Sequence, residues 1–548
     1  MRVTGLAALA TATALLLSVT ATSASAAVAG RTFYVDTTGN DLSDGLSPAT
    51  AWHSLDRVNR QVLVPGDTVL LKGGKTFDGS LLLGSAEAGS ATSPVTIGSF
   101  GTGRAIVASA GNTGVSVYNT AGVVIRDLVV KGNPTTYHNK PGIGFYNDLA
   151  GNLKLSRVIV TRVDVSGFKN GVEIGGGLGT SGFRDVAVTS ATLHDNMEAG
   201  LISYGPAVNP AAPAYAHQGL RVSGVAAYRN LGDPANAIRP TGSGIVLASV
   251  QGATVEWSRA YDNGSAAVAP RGPVGIWTYD SNRVVIQHNV SHHNRSGGPD
   301  GGGFDMDRNV SASTFQYNLS YANDGAGYLL FTGKSTSGNR DNVVRFNLSS
   351  KDSQKSISYG GITIWGPIKN AQIYNNTVIA QPNGTVRPAA VRLVGNPSGV
   401  AIRNNILLSN GAGPTVSAPA LPTTAAVLQG NAYYSATTGA NVRIVWGGAS
   451  YPTLSSWRSA TAQESVGSKL TGIAGDPQLV DYKTALAVTD PRNTAGARGL
   501  SLRSTSPLIG AGLDLKSLFG IAPGSRDYFG NAIASGAPSD VGAHHPTR

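Results

Sequence analysis

Asp305 and Asp307 stand one residue apart in the stretch GGGFDMDRN, residues 301–309, where they alternate with Phe304 and Met306. Alternation of this kind describes a strand whose apolar face meets the core, and it places both carboxyl groups on the opposite face. Two carboxyl groups side by side can divide the work of breaking a glycosidic bond. One, as the acid, protonates the leaving oxygen, and the other, as the carboxylate, activates water or attacks carbon. The plainer reading is a pair that solvates an exposed strand and is balanced by Arg308 or Arg271. Asp324, in ANDGAGY, precedes the next strand by three residues and completes the set of catalytic candidates as Asp305, Asp307 and Asp324. Along a strand the two Cα atoms of the pair are roughly 6.6 Å apart, and side-chain reach spreads that value over both the retaining and the inverting geometry.

The strands that follow Gly200, Gly244, Gly275, Gly303, Gly327 and Gly361 align on those glycines. Their first and third residues are mostly apolar, whereas their second and fourth residues bring Tyr204, Trp277, Tyr279, Phe331 and Trp365 to the face of the carboxylate pair. Rings packed on sugar C–H surfaces beside acidic groups describe a carbohydrate subsite, so these five are the substrate-binding candidates.

Other polar groups carry less. His288, His292 and His293 sit at a turn, where packing is a fuller account than metal binding. Glu198 is a reserve acid. Asp36, Asn40, Asp41 and Asp44 offer oxygen ligands that calcium could use, but an Asx-turn network accounts for them equally. No metal site is assigned, no organic cofactor is required, and the absence of cysteine excludes thiolate-bound zinc, iron–sulfur clusters and thiol nucleophiles.

The elements that must hold these groups are declared by a repeat. In VVIQHNVSHHN, STFQYNLSYAN, NVVRFNLSS, AQIYNNTVIA and VAIRNNILLSN, the residues Asn289, Asn318, Asn347, Asn376 and Asn405 recur every 29 residues. A fixed period of this length is the signature of a solenoid. The column of Ile286, Phe315, Val344, Ile373 and Ile402 is expected inside, as is that of Val290, Leu319, Leu348, Thr377 and Ile406. Gln287, Gln316, Arg345, Tyr374 and Arg403 are expected outside. Stacked Asn amides satisfy one another at an inner turn, which makes the three N-x-S sequons at Asn289, Asn318 and Asn347 false glycosylation signals. Looser copies end at Asn196, Asn230 and Asn263, with variable loops between them. The architecture expected is all-β, a parallel β-helix.

Both ends depart from the repeat. Arg2 precedes an uncharged Ala-, Leu- and Thr-rich run ending in Ala24-Ser25-Ala26, the pattern of a secretory signal over residues 1–26. Residues 27–60 form an N-terminal cap, residues 61–430 the β-helix, and residues 431–548 a C-terminal extension that wraps the solenoid. The 42 Lys and Arg residues exceed the 31 Asp and Glu, yet no basic run marks a nucleic-acid surface, and no later apolar run is long enough for a bilayer.

The opening FYVDTTGNDLSDGLSPATAW, the Asn-ended coils and the DPQLVD, SPLIGAG and DVGA tail resemble secreted right-handed parallel β-helix proteins of the pectate-lyase-like superfamily, which act mostly on polysaccharides. The resemblance spans nearly the whole chain beyond the signal. It implies a right-handed coil and a secreted, carbohydrate-active protein, but not one reaction, because that superfamily holds hydrolases, lyases, esterases and adhesins. The motif sets of polygalacturonases and of calcium-dependent pectate lyases are not found intact. Three Asp residues together resemble hydrolases on this scaffold and lean the expectation towards inversion.

The function expected is that of an extracellular glycoside hydrolase, monomeric, whose partner is a polysaccharide or oligosaccharide substrate rather than nucleic acid or membrane. One alternative is a polysaccharide lyase acting on a uronate-containing glycan by β-elimination, with Lys334 or Arg271 assisting. A non-catalytic glycan-binding solenoid is the other.

Overall fold

The computed structural model describes residues 30–87, 89–133, 139–333, 338–439, 442–533 and 539–547. The signal segment 1–26 and Lys334 lie outside the described residues. Three fourteen-stranded sheets run the length of the molecule, the first beginning at Thr32–Val35, the second at Thr76–Asp78 and the third at Leu81–Leu83. Each coil supplies one strand to each sheet in turn. Every neighbouring pair in the three sheets is parallel except the last pair of the third, where Ile444–Trp446 meets Ala449–Tyr451 antiparallel. The chain is a right-handed parallel β-helix, whose coils stack about 4.8 Å apart.

The 29-residue period works because each position lands on its own equivalent one coil later. Ile286 pairs with Phe315, Phe315 with Val344, Val344 with Ile373 and Ile373 with Ile402, and all five side chains are buried in the central core. On the outer face of the same sheet, Gln316 donates to Gln287 at 2.7 Å and Arg345 to Gln316 at 2.9 Å. The Asn ladder is continuous. Asn289 donates from Nδ2 to Oδ1 of Asn318 at 3.0 Å, and the same bond repeats through Asn347, Asn376 and Asn405 to Asn431. Asn289, Asn318 and Asn347 are buried, so their sequons are closed to an outside enzyme.

Asn196, Asn230 and Asn263 run on to Asn294, as their spacing implies, and form a second ladder at the next corner, from the second sheet to the third, which passes through Asn323 to Asp352. One detail of the repeat differs from expectation. Val290, Leu319, Leu348 and Ile406 point outward rather than inward. They are buried because the C-terminal segment, through Leu479, Val488, Leu508 and Val541, packs on them. The left-handed residues just before the Asn positions, such as His288 at φ 53° and Tyr317 at φ 57°, turn the chain sharply, so parity restarts in the second sheet.

The ends close the core. Trp52 and the short helix Leu55–Asn59 cover the first coils, and helix Leu454–Thr461 puts Trp457 against Trp446 and Tyr433 at the other end. The tail then returns along the second sheet past Tyr321, whose hydroxyl donates to the carbonyl of Val488 at 3.2 Å, to Arg259, which donates to the carbonyl of Thr489 at 3.0 Å. Among the described residues no helix is long and apolar enough to cross a membrane.

Candidate active site

The carboxylate pair sits on the third sheet, in the strand Gly302–Met306 and the residue after it. Gly303 stands at the corner where the chain enters the strand, and a Cβ there would lie 2.2 Å from the hydroxyl oxygen of the inward Ser320. From Phe304 onward the residues alternate: Phe304 and Met306 turn into the core, where Phe304 stacks on Tyr328 at 5.1 Å, and Asp305 turns out. In register with Asp305 lie Trp277 on one neighbouring coil and Leu329 on the other.

Outward does not mean wet. Loops before and after the third sheet rise around this face and enclose a cavity of about 460 Å³. Its polar groups are Asp300, Asp305, Asp307, Arg239, Arg271, Arg308 and Asn309, and its apolar walls include Trp277, Leu329, Phe331, Tyr359, Ile238 and Pro240. Asp305 is only 5% exposed and Asp307 is half-buried, so the solvated strand pair anticipated from alternation is replaced by one largely withdrawn from water.

Burial governs the electrostatics. Loss of hydration raises the Asp305 carboxyl well above the usual carboxylate range, and the neighbouring charges of Asp307 and Asp300 raise it further. Asp307 is pushed up to about 6, chiefly by burial; the Arg308 amide, which donates to it at 2.5 Å, and the charges of Arg308 and Arg271 hold it back. Asp300 is likewise raised to about 6 by burial, opposed by the backbone amides of Gly272, Gly301 and Gly302. Among the described residues, the buried carboxylate oxygens without a hydrogen-bond partner are Oδ1 of Asp300 and Oδ1 of Asp305. An orphaned buried acceptor is costly, and two in one cavity point to a group that binds there.

Asp324 is not part of this cluster. Its carboxylate pairs with Arg295 at 2.8 Å and accepts from the amide of Ser296, because Gly325 turns the chain before the strand and leaves Asp324 at the corner. Asp300 takes the third place instead. It arrives on the loop from the second sheet and is tied by the amide of Gly272 at 3.1 Å.

Of the predicted rings, Trp277 and Phe331 line the cavity. The Trp277 N–H is held by Ser243 at 3.1 Å, which fixes the indole. Tyr279 stacks on Trp277 at 5.1 Å beneath the Arg308 guanidinium, and Trp365 packs on Phe331 and Tyr359, so both support the wall without lining it. Tyr204 lies farther along the solenoid and donates to Glu173 at 2.8 Å. Tyr359, a cavity residue missed in the sequence, comes from the loop before the next strand.

The remaining polar candidates are engaged in structure. His288 stacks between Trp257 and Tyr317, and His292 between Tyr261 and Tyr321. Glu198 pairs with Arg239 at 3.0 Å. Asp36, Asn40 and Asp44 each accept from an amide two residues on, and Asp41 accepts from the amides of His53 and Ser54. Among the described residues no cluster of three or more His, Asp or Glu side chains is arranged to hold a metal ion. Arg271 is exposed at the cavity rim.

With this geometry in view, comparison with known proteins gives a family model described as the right handed beta helix region, matching residues 216–348. That span contains both Asp305 and Trp277. A stretch of 92 residues, 16% of this chain, is 38% identical to a lacto-N-biosidase of Bifidobacterium longum, and the match spans 6% of that protein's length. A solved lacto-N-biosidase of Eubacterium ramulus superposes with a TM-score of 0.48 at 18% identity, over 63% of this chain and 64% of that one. A solved pectate lyase superposes with a TM-score of 0.44 at 15% identity, over 95% of this chain and 97% of that one.

Proposed function

We propose that this protein is an exported glycoside hydrolase that cleaves a polysaccharide or oligosaccharide in the Asp305 cavity. The observation that carries the reading is the pair of orphaned, buried carboxylate oxygens of Asp300 and Asp305 beside Asp307 in an aromatic-walled cavity. The partial sequence match to a lacto-N-biosidase supports a glycosidic bond as the target.

The environments separate the roles. Asp305, raised well above the usual carboxylate range by burial and by its acidic neighbours, is the member of the pair that holds a proton and donates it to the departing glycosidic oxygen. Asp307, held near 6 with Arg308 and Arg271 in its field, is ionised at neutral pH and takes a proton from the attacking water. Trp277 and Phe331 offer the sugar two apolar surfaces. The new bond forms between water oxygen and the anomeric carbon while the bond to the leaving oxygen breaks, so the protons balance and the anomeric configuration inverts.

Incubation with a panel of neutral and acidic glycans, followed by reducing-end assay and NMR of the first-formed anomer, tests this. New reducing ends that vanish in Asp305→Asn are expected. A product absorbing in the ultraviolet through a new C=C bond would replace hydrolysis with β-elimination, and the absence of any product across the panel would end the enzymatic reading.

A further inference from the structure

On the outer face of the second sheet, the rings of His194, Tyr228, Tyr261, His292 and Tyr321 form one column, stacked at 5.0, 4.9, 5.1 and 4.7 Å with planes within 13° of parallel. Strand register makes the column: His194 is opposite Tyr228, Tyr228 opposite Tyr261, Tyr261 opposite His292 and His292 opposite Tyr321. Its downstream end is closed by the tail, which leaves Tyr321 3% exposed. Its upstream end is open. The residue opposite His194 on the preceding coil is Ser166, and where a sixth ring would stand there is a cavity of about 670 Å³.

We propose that this cavity is a second glycan-binding site, in which one sugar ring stacks on the open face of His194 as the next plate of the column. The imidazole is a fixed floor: Nε2 meets Asp164 at 3.1 Å, Nδ1 meets Asp195, and Asp195 is in turn gripped by Arg229 at 2.7 and 2.9 Å. Asp164, Asp195, Arg229 and Lys131 line the space together with Phe168 and Leu231. Acceptors and donors in nearly balanced number around an apolar wall suit a neutral, hydroxyl-rich ring better than a strongly charged ligand. The two carboxylates hold the His194 imidazole towards its protonated form, and its remaining contacts leave one face free.

The site is also placed to serve the cleft. Leu231 lines this cavity, and Ile238, Arg239 and Pro240 on the same loop line the Asp305 cavity, so one loop has a residue in each. A polymer held at His194 would present neighbouring sugars near the cleft and raise their local concentration there. The proposal rests on the hydrolase reading only in taking the ligand to be a glycan.

Affinity electrophoresis through gels containing arabinogalactan, xylan, laminarin or polygalacturonate, run with the Asp305→Asn protein to prevent turnover, tests it. Retardation in at least one neutral-glycan gel is expected. Ser166→Phe, which fills the slot with a sixth ring, should raise the dissociation constant at least tenfold without lowering the melting temperature. Lys131→Ala, at the rim of the slot, provides a second reading by weakening binding several-fold, and Trp277→Ala, which removes only the cleft's share of the binding, should leave a retardation that Ser166→Phe still abolishes. No retardation in any gel, equal retardation of Ser166→Phe and Lys131→Ala with the parent, or retardation abolished by Trp277→Ala would overturn the site. Hydrolysis by the wild-type chain is scored separately: its failure with retardation intact removes the cleft reading alone, and its success without retardation removes this site alone.

Discussion

Two buried carboxyl groups, Asp305 and Glu464, show how differently this solenoid uses the same chemistry. Glu464 ends the long Asn ladder, where it accepts from the side chain and amide of Asn431, the amide of Gly430, the Tyr433 hydroxyl and the Thr471 hydroxyl. Asp305, equally removed from solvent, leaves Oδ1 without a partner and faces two further acids. Desolvation raises both groups, but at Glu464 the donors counteract it, whereas at Asp305 the neighbours add to it. Burial with partners closes a core. Burial without partners holds a proton where a ligand can take it.

The largest expected effect breaks the cleft side of this comparison. Asp305→Asn should lower kcat/KM by roughly 10²- to 10⁴-fold, because a positioned acid contributes about that much. Its melting temperature should hold or rise, since the variant removes an acid that burial forces to stay neutral rather than a partner of another group. Steady-state kinetics beside a melting curve checks both halves, and a large loss of stability would place Asp305 with Glu464 as a structural group.

Glu464→Ala should do the reverse. Stranding the ladder end and its donors costs about 2–4 kcal/mol of stability, measured by denaturant unfolding, with kcat/KM of the folded protein unchanged within a few-fold. A catalytic loss comparable with that of Asp305→Asn would erase the distinction.

pH sharpens the contrast next. The folded state favours the neutral forms of Asp300 and Asp305, whose unfolded pKa is near 4, so their contribution is intact below that value and is lost as pH rises through about 6 and above. Asp305→Asn removes part of this loss, and its melting temperature should exceed that of the wild type by roughly 1–3 °C at pH 8, with the gap closing towards pH 4. Activity runs the other way on its acid limb. As Asp307 protonates below about 6, kcat/KM should fall about tenfold per pH unit.

The smallest effect belongs to Asp324→Asn. It breaks a partly exposed pair with Arg295, worth about 1 kcal/mol or less, and should leave kcat/KM within about three-fold. A loss of orders of magnitude would return Asp324 to the site and displace Asp300.

Asp305 and Asp307 were legible because strand alternation has a period of two and the apolar Phe304 and Met306 set its phase. Asp300 was not, since it lies in a loop whose path no periodicity constrains; the nearest signal is its place in GPDGGG, just ahead of the strand. The loops that roof the cavity left a fainter trace in the coil length, which is 34 residues from Asn196 to Asn230 and 29 from Asn289 to Asn318. Extra residues on those coils become walls, but their length does not say which way they fold.

The amino-acid sequence by itself determined the repeat, the stacked Asn and core columns and the faces of the strands in the third sheet, because these follow from local alternation and a fixed period. Only the tertiary structure decided that Asp305 is dry, that Asp300 rather than Asp324 joins it, and that the Val290 column is buried by the tail instead of the core. Each of those outcomes depends on segments far apart in the chain meeting over one face, such as Val541 over Ile406 or Tyr359 over Asp305, and contact of that kind leaves no period in the sequence to read.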